Sequence, residues 1–324
     1  MITFCNQYKY IDDAINSCLS QEYDFPVELL IGLDGNDADS EKLINSYVEK
    51  YDFIKLFKID NSALETISIE KASLNRSNLL KNARGEYICF LDGDDFYTDT
   101  TRFRELVGFL DENPDYIGVF HDISFFDDGS KTFFQPNLLS ETSREYCISD
   151  YLKIHKVFTC FIYRNIFGGT VSGDLLVNDS TFSMYMIRSG KFYYINKPML
   201  AYRVGMTSIY NSLDKKKQLI YRLIAAEVNH KVLPESERIL CGKYRGVIKK
   251  CFKVFTAQDI FTEAETRNIL NFAKRYFCYF TCGLLLWHKL NILQKIKLHF
   301  FKFSYRAFRK NPVMNRDISE IFFK

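Results

Sequence analysis

Short apolar runs alternate with amphipathic segments along the first hundred residues of the chain. The apolar runs predict β-strands over residues 2–5, 27–33, 54–59 and 87–91. In residues 11–19 and 41–51, apolar side chains recur every three or four positions, which places them on one face of a helix. Helices that connect successive strands are typical of parallel sheets, so the pattern predicts an α/β fold, with a mainly parallel sheet flanked by helices.

The alternation continues through a predicted helix over residues 102–110 and a predicted strand over residues 116–125. Beyond Asp214 only helical periodicity is present. We therefore expect two parts, an α/β domain over residues 1–205 and a helical, basic appendage over residues 206–324.

Composition places the chain among globular proteins of the cytoplasm. Its 324 residues are 47% hydrophobic and 26% charged, which is enough apolar material for a sizeable core. The nine cysteines are scattered without a CxxC pair, so we expect reduced thiols and no zinc site. The N-terminus lacks the pattern of a secretory signal, and the longest apolar run, residues 277–287, is shorter than the roughly 20 residues that span a bilayer.

The C-terminal region carries a basic bias that the net charge of +3 conceals. Between Thr266 and Arg316 there is no Asp or Glu, whereas Lys and Arg recur throughout. In residues 284–308, apolar side chains at helical spacing accompany these cations, which suits an amphipathic helix lying on an anionic membrane surface. Packing of the apolar stripe on the α/β domain explains the pattern equally well. No recognisable nucleic-acid-binding motif accompanies the charge, so no nucleic-acid partner is expected.

Three carboxylates directly follow the predicted strand over residues 87–91. They are Asp92, Asp94 and Asp95, separated only by Gly93. Ligands of open α/β sheets bind at the carboxyl ends of the strands, and clustered carboxylates attract hard divalent cations such as Mg²⁺ or Mn²⁺, which in turn bind phosphate. The alternative is a solvated acidic turn that precedes a helix.

Several segments together resemble the family 2 glycosyltransferases of the GT-A fold, which is Rossmann-like, and in particular bacterial enzymes that build capsule and lipopolysaccharide glycans. The resemblance covers about the first 205 residues, with a nucleotide-sugar half over about residues 1–100 and an acceptor half over about residues 100–205. It is carried by ITFCNQYKYIDDAINSCLSQ, ELLIGLDGNDADS, NRSNLLKNARGEYICFLDGDD and VNDSTFSMYMIRSGKFYYINKPMLAYRV.

The resemblance implies a role for particular residues of this sequence. Asp92 and Asp94 form the DXD motif, which holds a divalent cation and the diphosphate of a nucleotide-sugar, most commonly a UDP-sugar. The remaining donor-site positions are Asn6 and Tyr8 in the first loop, Asp34 against the base, and Arg76 near the diphosphate. Asp179 corresponds to the catalytic base of an inverting transfer to a hydroxyl group of a glycan or lipid-linked acceptor.

The sequence departs from the family where a His commonly follows the segment Tyr202-Arg203. Gly205 and Met206 follow it here, so no third metal ligand is assigned, and Arg203 is a candidate to face the phosphates instead.

Simpler structural roles remain open for four of these residues. Arg76 also fits an ordinary exposed helix charge, and Tyr8 also fits packing under the first helix. Asp34 precedes a glycine and is suited to shape a turn, and Asp179 is suited to cap a helix that begins near Ser180.

Two other function classes also remain open. A HAD-type phosphatase uses a D-x-D after a strand, for which Asp92 and Asp94 would serve, together with a later acidic segment that contains Asp174. A non-catalytic binding protein that keeps the GT-A fold is the third class.

Overall fold

Two β-sheets form the framework of the protein. The structure is a computed structural model that describes residues 1–5, 8–134, 138–151, 158–173, 175–204, 227–228 and 262–276. The first sheet is parallel throughout, with strands in the spatial order β3 (Ile54–Ile59), β2 (Leu29–Asp34), β1 (Ile2–Phe4) and β5 (Leu91–Asp92). The predicted parallel sheet is therefore confirmed, and β3 has the predicted bounds.

Burial of the strands follows their position in the first sheet. All residues of β1 and β2 are buried, as expected for central parallel strands covered on both faces. Strand β3 lies at the edge and exposes Lys55 and Lys58. Exposed lysines on an edge strand discourage pairing with another chain.

Three helices connect the strands of the first sheet: α1 (Tyr8–Leu19), α2 (Ala38–Lys50) and α3 (Ser68–Asn82). Helix α1 buries Ile11, Ala14, Ile15 and Cys18, which recur at three- and four-residue spacing. Helix α2 begins three residues before the predicted segment because the Asp37 side chain caps it, accepting a hydrogen bond from the Ser40 backbone at 3.2 Å.

The second sheet is mostly antiparallel. Its strands lie in the order β4 (Tyr87–Ile88), β10 (Phe161–Arg164), β7 (Tyr116–Asp127), β11 (Lys191–Val204) and β6 (Phe96–Tyr97). Two further strands, β8 (Thr132–Phe133) and β9 (Arg144–Tyr146), pair with β7 and β11. Among the described strands of this sheet, only β7 and β11 pair in parallel. The apolar pattern predicts strand β7 but does not indicate its antiparallel neighbours.

Aromatic side chains fill the core beside the second sheet. Phe120 stacks on Phe161 at 4.6 Å between ring centroids, and Phe161 stacks on Tyr163 at 5.0 Å. The remaining described helices of this half are α4 (Arg102–Glu112), α5 (Ile148–Tyr151) and α6 (Asp179–Met186), with 3-10 turns at Phe158–Cys160 and Ile187–Ser189. The high aromatic content thus serves core packing, the use that is commoner in proteins.

The segment from Tyr87 to Tyr97 joins the two sheets. Strand β4 belongs to the second sheet, β5 to the first, and β6 to the second again. The single strand predicted over residues 87–91 is therefore two short strands in different sheets. The acidic residues after β5 lie at the junction of the sheets.

The chain divides into two compact units. The first contains Met1–Leu64 and Lys71–Ile209, and the second includes Glu65–Glu70 and helix α7 (Glu263–Arg275). Within the second unit, Arg275 pairs with the buried carboxylate of Glu70, with 2.5 Å between Nη2 and Oε2. None of the described helices is long and apolar enough to cross a membrane. The domain boundary at residue 205 stays a prediction, and the proposed amphipathic segment 284–308 lies outside the described residues.

Glycine at position 32 allows α3 to approach β2 closely. The Asn75 side chain on α3 donates a hydrogen bond to the Gly32 carbonyl at 2.8 Å. A β-carbon at position 32 would lie 2.2 Å from Asn75 Oδ1, a distance that atoms cannot adopt without movement.

We expect Gly32→Ala to destabilise the protein by about 1–3 kcal/mol, because the buried Asn75 side chain must shift and weaken its hydrogen bond to the Gly32 carbonyl. Gly108→Ala is the matched control, since a β-carbon there meets no atom within 4 Å and alanine favours the helix interior. Urea denaturation measures both. Equal stability of Gly32→Ala and the wild type would contradict the close packing of α3.

Candidate functional site

The carboxyl ends of three adjacent strands form one edge of the first sheet. Asp34 ends β2 and Asp92 ends β5, and β1 lies between these two strands. Because neighbouring strands are about 4.8 Å apart, the two aspartates are separated by roughly 10 Å along this edge. This is the part of an open α/β sheet where ligands commonly bind.

The carboxylate of Asp92 is held by two side chains from different elements. Thr3 Oγ1 on β1 donates a hydrogen bond to Asp92 Oδ1 at 3.1 Å, and Arg76 Nη2 on α3 lies 2.8 Å from the same oxygen. The Arg76 side chain is 14% exposed and that of Asp92 is 31% exposed, so this ion pair is only partly screened by solvent. Asn75, the neighbour of Arg76, anchors this turn of α3 to the sheet.

Burial disfavours the ionised forms of the two following carboxylates. Burial, together with the charge of Asp92, raises the pKa of Asp94 to about 6. Burial and the charges of Asp94 and Asp92 also raise the pKa of Asp95, which is 2% exposed. Asp95 Oδ1 accepts a hydrogen bond from the backbone N–H of Arg203 at 3.0 Å. The solvated acidic turn that the sequence left open therefore does not describe this segment.

Asp179 is the first residue of α6 and lies within the electrostatic reach of Arg76. Although burial lowers the pKa of Arg76, the charges of Asp92, Asp179 and Asp94 raise it above its ordinary value. The capping role belongs to the neighbouring residue, because the Asn178 side chain accepts a hydrogen bond from the Thr181 backbone at 2.9 Å. The structure thus brings Asp92, Asp94, Arg76 and Asp179 together.

Asp34 lies at the other end of the edge and is bound to Asn61. Its two carboxylate oxygens accept hydrogen bonds from the backbone and the side chain of Asn61, both at 3.1 Å. Cys5 lies beside it, since burial and the charges of Asp34 and Asp37 raise the pKa of the Cys5 thiol. Tyr8, at the start of α1, is 52% exposed. Asn6 and Asp174 lie outside the described residues.

The Arg203 guanidinium is bound by carboxylates of other elements, while its charge also favours the ionised forms of Asp94 and Asp95. Its guanidinium pairs with Asp13 on α1 and lies 2.5 Å from Asp128 Oδ1, in the turn between β7 and β8. Lys9 and Lys131 each lie 2.7 Å from the same Asp128 carboxylate. The Arg203 side chain thus fastens α1, β7 and β11 together, and its role toward the phosphates stays a prediction.

Sequence reasoning missed three residues of this edge. Thr3 binds Asp92, Asn61 binds Asp34, and Tyr202 lies on the strand that runs beside the acidic residues. Only Tyr202 had a sequence signal, its place in the segment Tyr202-Arg203. The partners of Thr3 and Asn61 are distant in sequence, so no local pattern reveals them.

Comparison with known proteins decides the family. The family model described as Glycosyl transferase family 2 matches residues 1–167, slightly more than half of the chain. The chain belongs to glycosyltransferase family 2. Membership in this family favours the glycosyltransferase over the HAD-type phosphatase, and the match includes Asp34, Arg76, Asp92 and Asp94.

Two curated relatives of this glycosyltransferase family 2 member match between a third and two fifths of its residues. An uncharacterized protein of Mycobacterium bovis is 30% identical over 129 residues, which are 39% of this chain and 35% of the relative. The minor teichoic acid biosynthesis protein GgaB of Bacillus subtilis is 30% identical over 122 residues, 37% of this chain and 13% of GgaB. The chain thus spans about a third or less of these relatives.

The similarity in fold to one solved structure extends over most of this family 2 glycosyltransferase chain. S. aureus TarS 1–349 in complex with UDP-GlcNAc superposes with a TM-score of 0.57 at 16% identity, covering 94% of this chain and 90% of that 1–349 chain. This similarity, together with the parallel first sheet, confirms the GT-A-like α/β fold.

We expect Asp94→Asn to stabilise the protein without ligand at neutral pH. The pKa of Asp94 rises from 3.8 to about 6 on folding, so the ionised carboxylate destabilises the native state. The gain from Asn should therefore be complete above pH 6, shrink between pH 6 and 4, and vanish below pH 4. We expect about 1–2 kcal/mol, or several degrees in the unfolding midpoint.

Differential scanning fluorimetry from pH 4 to pH 8 measures this gain. The exposed Asp52→Asn is the matched control and should leave the midpoint unchanged. A gain for Asp94→Asn that is independent of pH would show that charge is not its cause.

Proposed function

We propose that this protein transfers a sugar from a nucleotide-sugar, with UDP as the expected nucleotide, to a hydroxyl group of a glycan or a lipid-linked acceptor, with inversion at the anomeric carbon. The observation that carries the proposal is the placement of Asp34, Asp92 and Asp94 along one edge of the parallel sheet, with Arg76 and Asp179 beside the DXD motif.

The edge has the dimensions of a nucleoside diphosphate. With Asp34 and Asp92 roughly 10 Å apart, the base would lie by Asp34 and the diphosphate by Asp92 and Asp94. Arg76 would then bind the diphosphate as well as Asp92, since its guanidinium offers five N–H donors. Tyr8 is exposed at the start of α1, where its ring is available to stack on the base.

A divalent cation suits the donors that the DXD motif presents. Asp92 and Asp94 supply the oxygen ligands that Mg²⁺ and Mn²⁺ prefer, and a cation would offset the unfavourable burial of the ionised Asp94. Within the described part of the chain, no third His, Cys, Asp or Glu groups with them, so the remaining ligands would come from the diphosphate and water. Such a cation stabilises the negative charge of the departing diphosphate.

Asp179 is the general base of the proposed reaction. It is the first residue of α6, and a helix N-terminus stabilises negative charge. Its carboxylate would accept the proton of the acceptor hydroxyl as that oxygen attacks the anomeric carbon from the side opposite the diphosphate. Because the attack is direct, the chain needs no nucleophile of its own.

The relatives support a role in cell-surface glycan synthesis. TarS was solved with UDP-GlcNAc, which supports UDP as the nucleotide, and GgaB takes part in minor teichoic acid biosynthesis. A lipid-linked acceptor would suit a protein located in the cytoplasm at the inner face of the membrane. Attachment there through the basic C-terminal segment remains part of the proposal.

A thermal-shift panel tests the donor site. UDP, GDP, CDP and dTDP are each added with and without Mn²⁺ to the wild type and to Asp94→Asn. We expect UDP to raise the unfolding midpoint only with Mn²⁺. At a hundredfold excess over its dissociation constant, a ligand of the native state adds about 2.7 kcal/mol to the free energy of unfolding. Asp94→Asn should abolish this shift, whereas the control Asp52→Asn should keep it. Stabilisation by a phosphate mimic with Mg²⁺, but by no nucleotide, would instead favour the phosphatase.

Asp179→Asn tests the base separately from donor binding. We expect the rate of transfer to fall at least about a hundredfold, because general-base catalysis contributes factors of that size. The nucleotide shift with Mn²⁺ should persist. Radiolabelled sugar transfer to a membrane extract measures the rate. Transfer at the wild-type rate would exclude Asp179 as the base.

A further inference from the structure

The last residues of β11 run directly beside the acidic segment. Strands β6 and β11 are antiparallel, with Leu200 opposite Tyr97 and Ala201 opposite Phe96. Continued by one position, this register sets Tyr202 opposite Asp95, and the hydrogen bond from Arg203 N–H to Asp95 Oδ1 at 3.0 Å fixes the approach. Tyr202 is therefore a neighbour of the DXD motif in space.

Strand geometry directs Tyr202 and Arg203 to opposite faces of the sheet. The Arg203 guanidinium lies 4.9 Å from the ring of Phe96 and 5.3 Å from that of Phe126. Because successive side chains of a strand alternate, Tyr202 projects from the other face. Its ring meets the edge of the Phe125 ring there, at 6.2 Å and nearly perpendicular.

Tyr202 lies near the carboxylates of the proposed site, because the strand register sets it beside Asp95 and the Arg203 N–H binds the Asp95 carboxylate. Burial, followed by the charges of Asp95, Asp179, Asp92 and Asp94, raises the pKa of Tyr202 to about 12. The charges of the DXD carboxylates and of the proposed base, Asp179, thus act on the Tyr202 phenol. It keeps its proton at neutral pH, and no group in the described part of the chain hydrogen-bonds its hydroxyl. Tyr202 therefore offers an uncommitted hydrogen-bond donor at this place.

We propose that Tyr202 is a specificity-determining residue, whose hydroxyl donates a hydrogen bond to an oxygen of the transferred sugar. The inference rests on the proposed function. In that reaction the sugar is joined to a diphosphate at Asp92 and Asp94 and faces the acceptor at Asp179. A group that lies near both sets of carboxylates is beside the sugar, whereas the base and ribose extend toward Asp34.

Tyr202→Phe removes the hydroxyl and keeps the ring that packs on Phe125. The probes are UDP, GDP and dTDP and the nucleotide-sugars UDP-glucose, UDP-GlcNAc, GDP-mannose and dTDP-glucose, each titrated calorimetrically with Mn²⁺. For the nucleotide that binds, we expect Tyr202→Phe to leave the affinity for the free diphosphate unchanged within twofold. Its affinity for the matching nucleotide-sugar should fall about three- to tenfold, as loss of one hydrogen bond implies.

Tyr193→Phe is the matched control, because Tyr193 lies on the same strand and packs its ring on Phe109 at 4.4 Å. It should change neither affinity, and an unchanged unfolding midpoint of Tyr202→Phe verifies its fold. An equal loss for diphosphate and nucleotide-sugar, or no loss for either, overturns the role of Tyr202 and leaves the proposed function intact. Failure of the wild type to bind any of these probes overturns the proposed function, and this inference with it.

Discussion

Repulsion among carboxylates at the end of β5 is the constraint on which the rest of the site depends. Asp92, Asp94 and Asp95 lie within four positions, and burial makes the ionised forms of the last two unfavourable. Each stabilising contact comes from a different part of the fold: Thr3 from β1, Arg76 from α3, and the Arg203 backbone from β11. The site exists because three distant elements converge on one turn.

Arg76 and Arg203, the two arginines near this turn, have different partners. Arg76 lies among carboxylates, since the charges of Asp92, Asp179 and Asp94 raise its pKa although burial lowers it. Arg203 is almost fully buried and forms ion pairs with Asp13 and Asp128. It thereby connects α1 to the second sheet. The partners of the two side chains therefore distinguish them, since Arg76 binds Asp92 of the proposed donor site and Arg203 binds Asp13 and Asp128.

The sequence was sufficient where local patterns carry the information. Strand β3 has its predicted bounds, because the apolar side chains of Ile54, Leu56, Phe57 and Ile59 lie close together and Asp60 follows them. Long-range pairing was not accessible. The run over residues 87–91 reads as one strand, since nothing local shows that Tyr87 pairs in one sheet and Leu91 in the other. Likewise the bond from Asn61 to Asp34 joins residues 27 positions apart.

The role of a side chain was easier to predict from the sequence when the residue belonged to a recognisable motif. Asp92, Asp94 and Arg76 are recognisable from the segment that contains them, and the structure brings them together. Asp179 could not be separated from a helix cap until Asn178 was seen to fill that role. Tyr202 and Arg203 are adjacent in one motif, and they project to opposite faces because side chains alternate along a strand. The motif alone does not show which face lies toward the site.

The segment from Tyr87 to Tyr97, which joins the two sheets, is constrained in its number of residues as well as in its charge. Between Ile88 in the second sheet and Phe96 in the same sheet, the chain makes one visit to the first sheet and returns. A single inserted residue would turn the side chains of β6 to the wrong faces, because strand periodicity is two. We therefore expect the acidic turn to tolerate substitutions better than insertions or deletions.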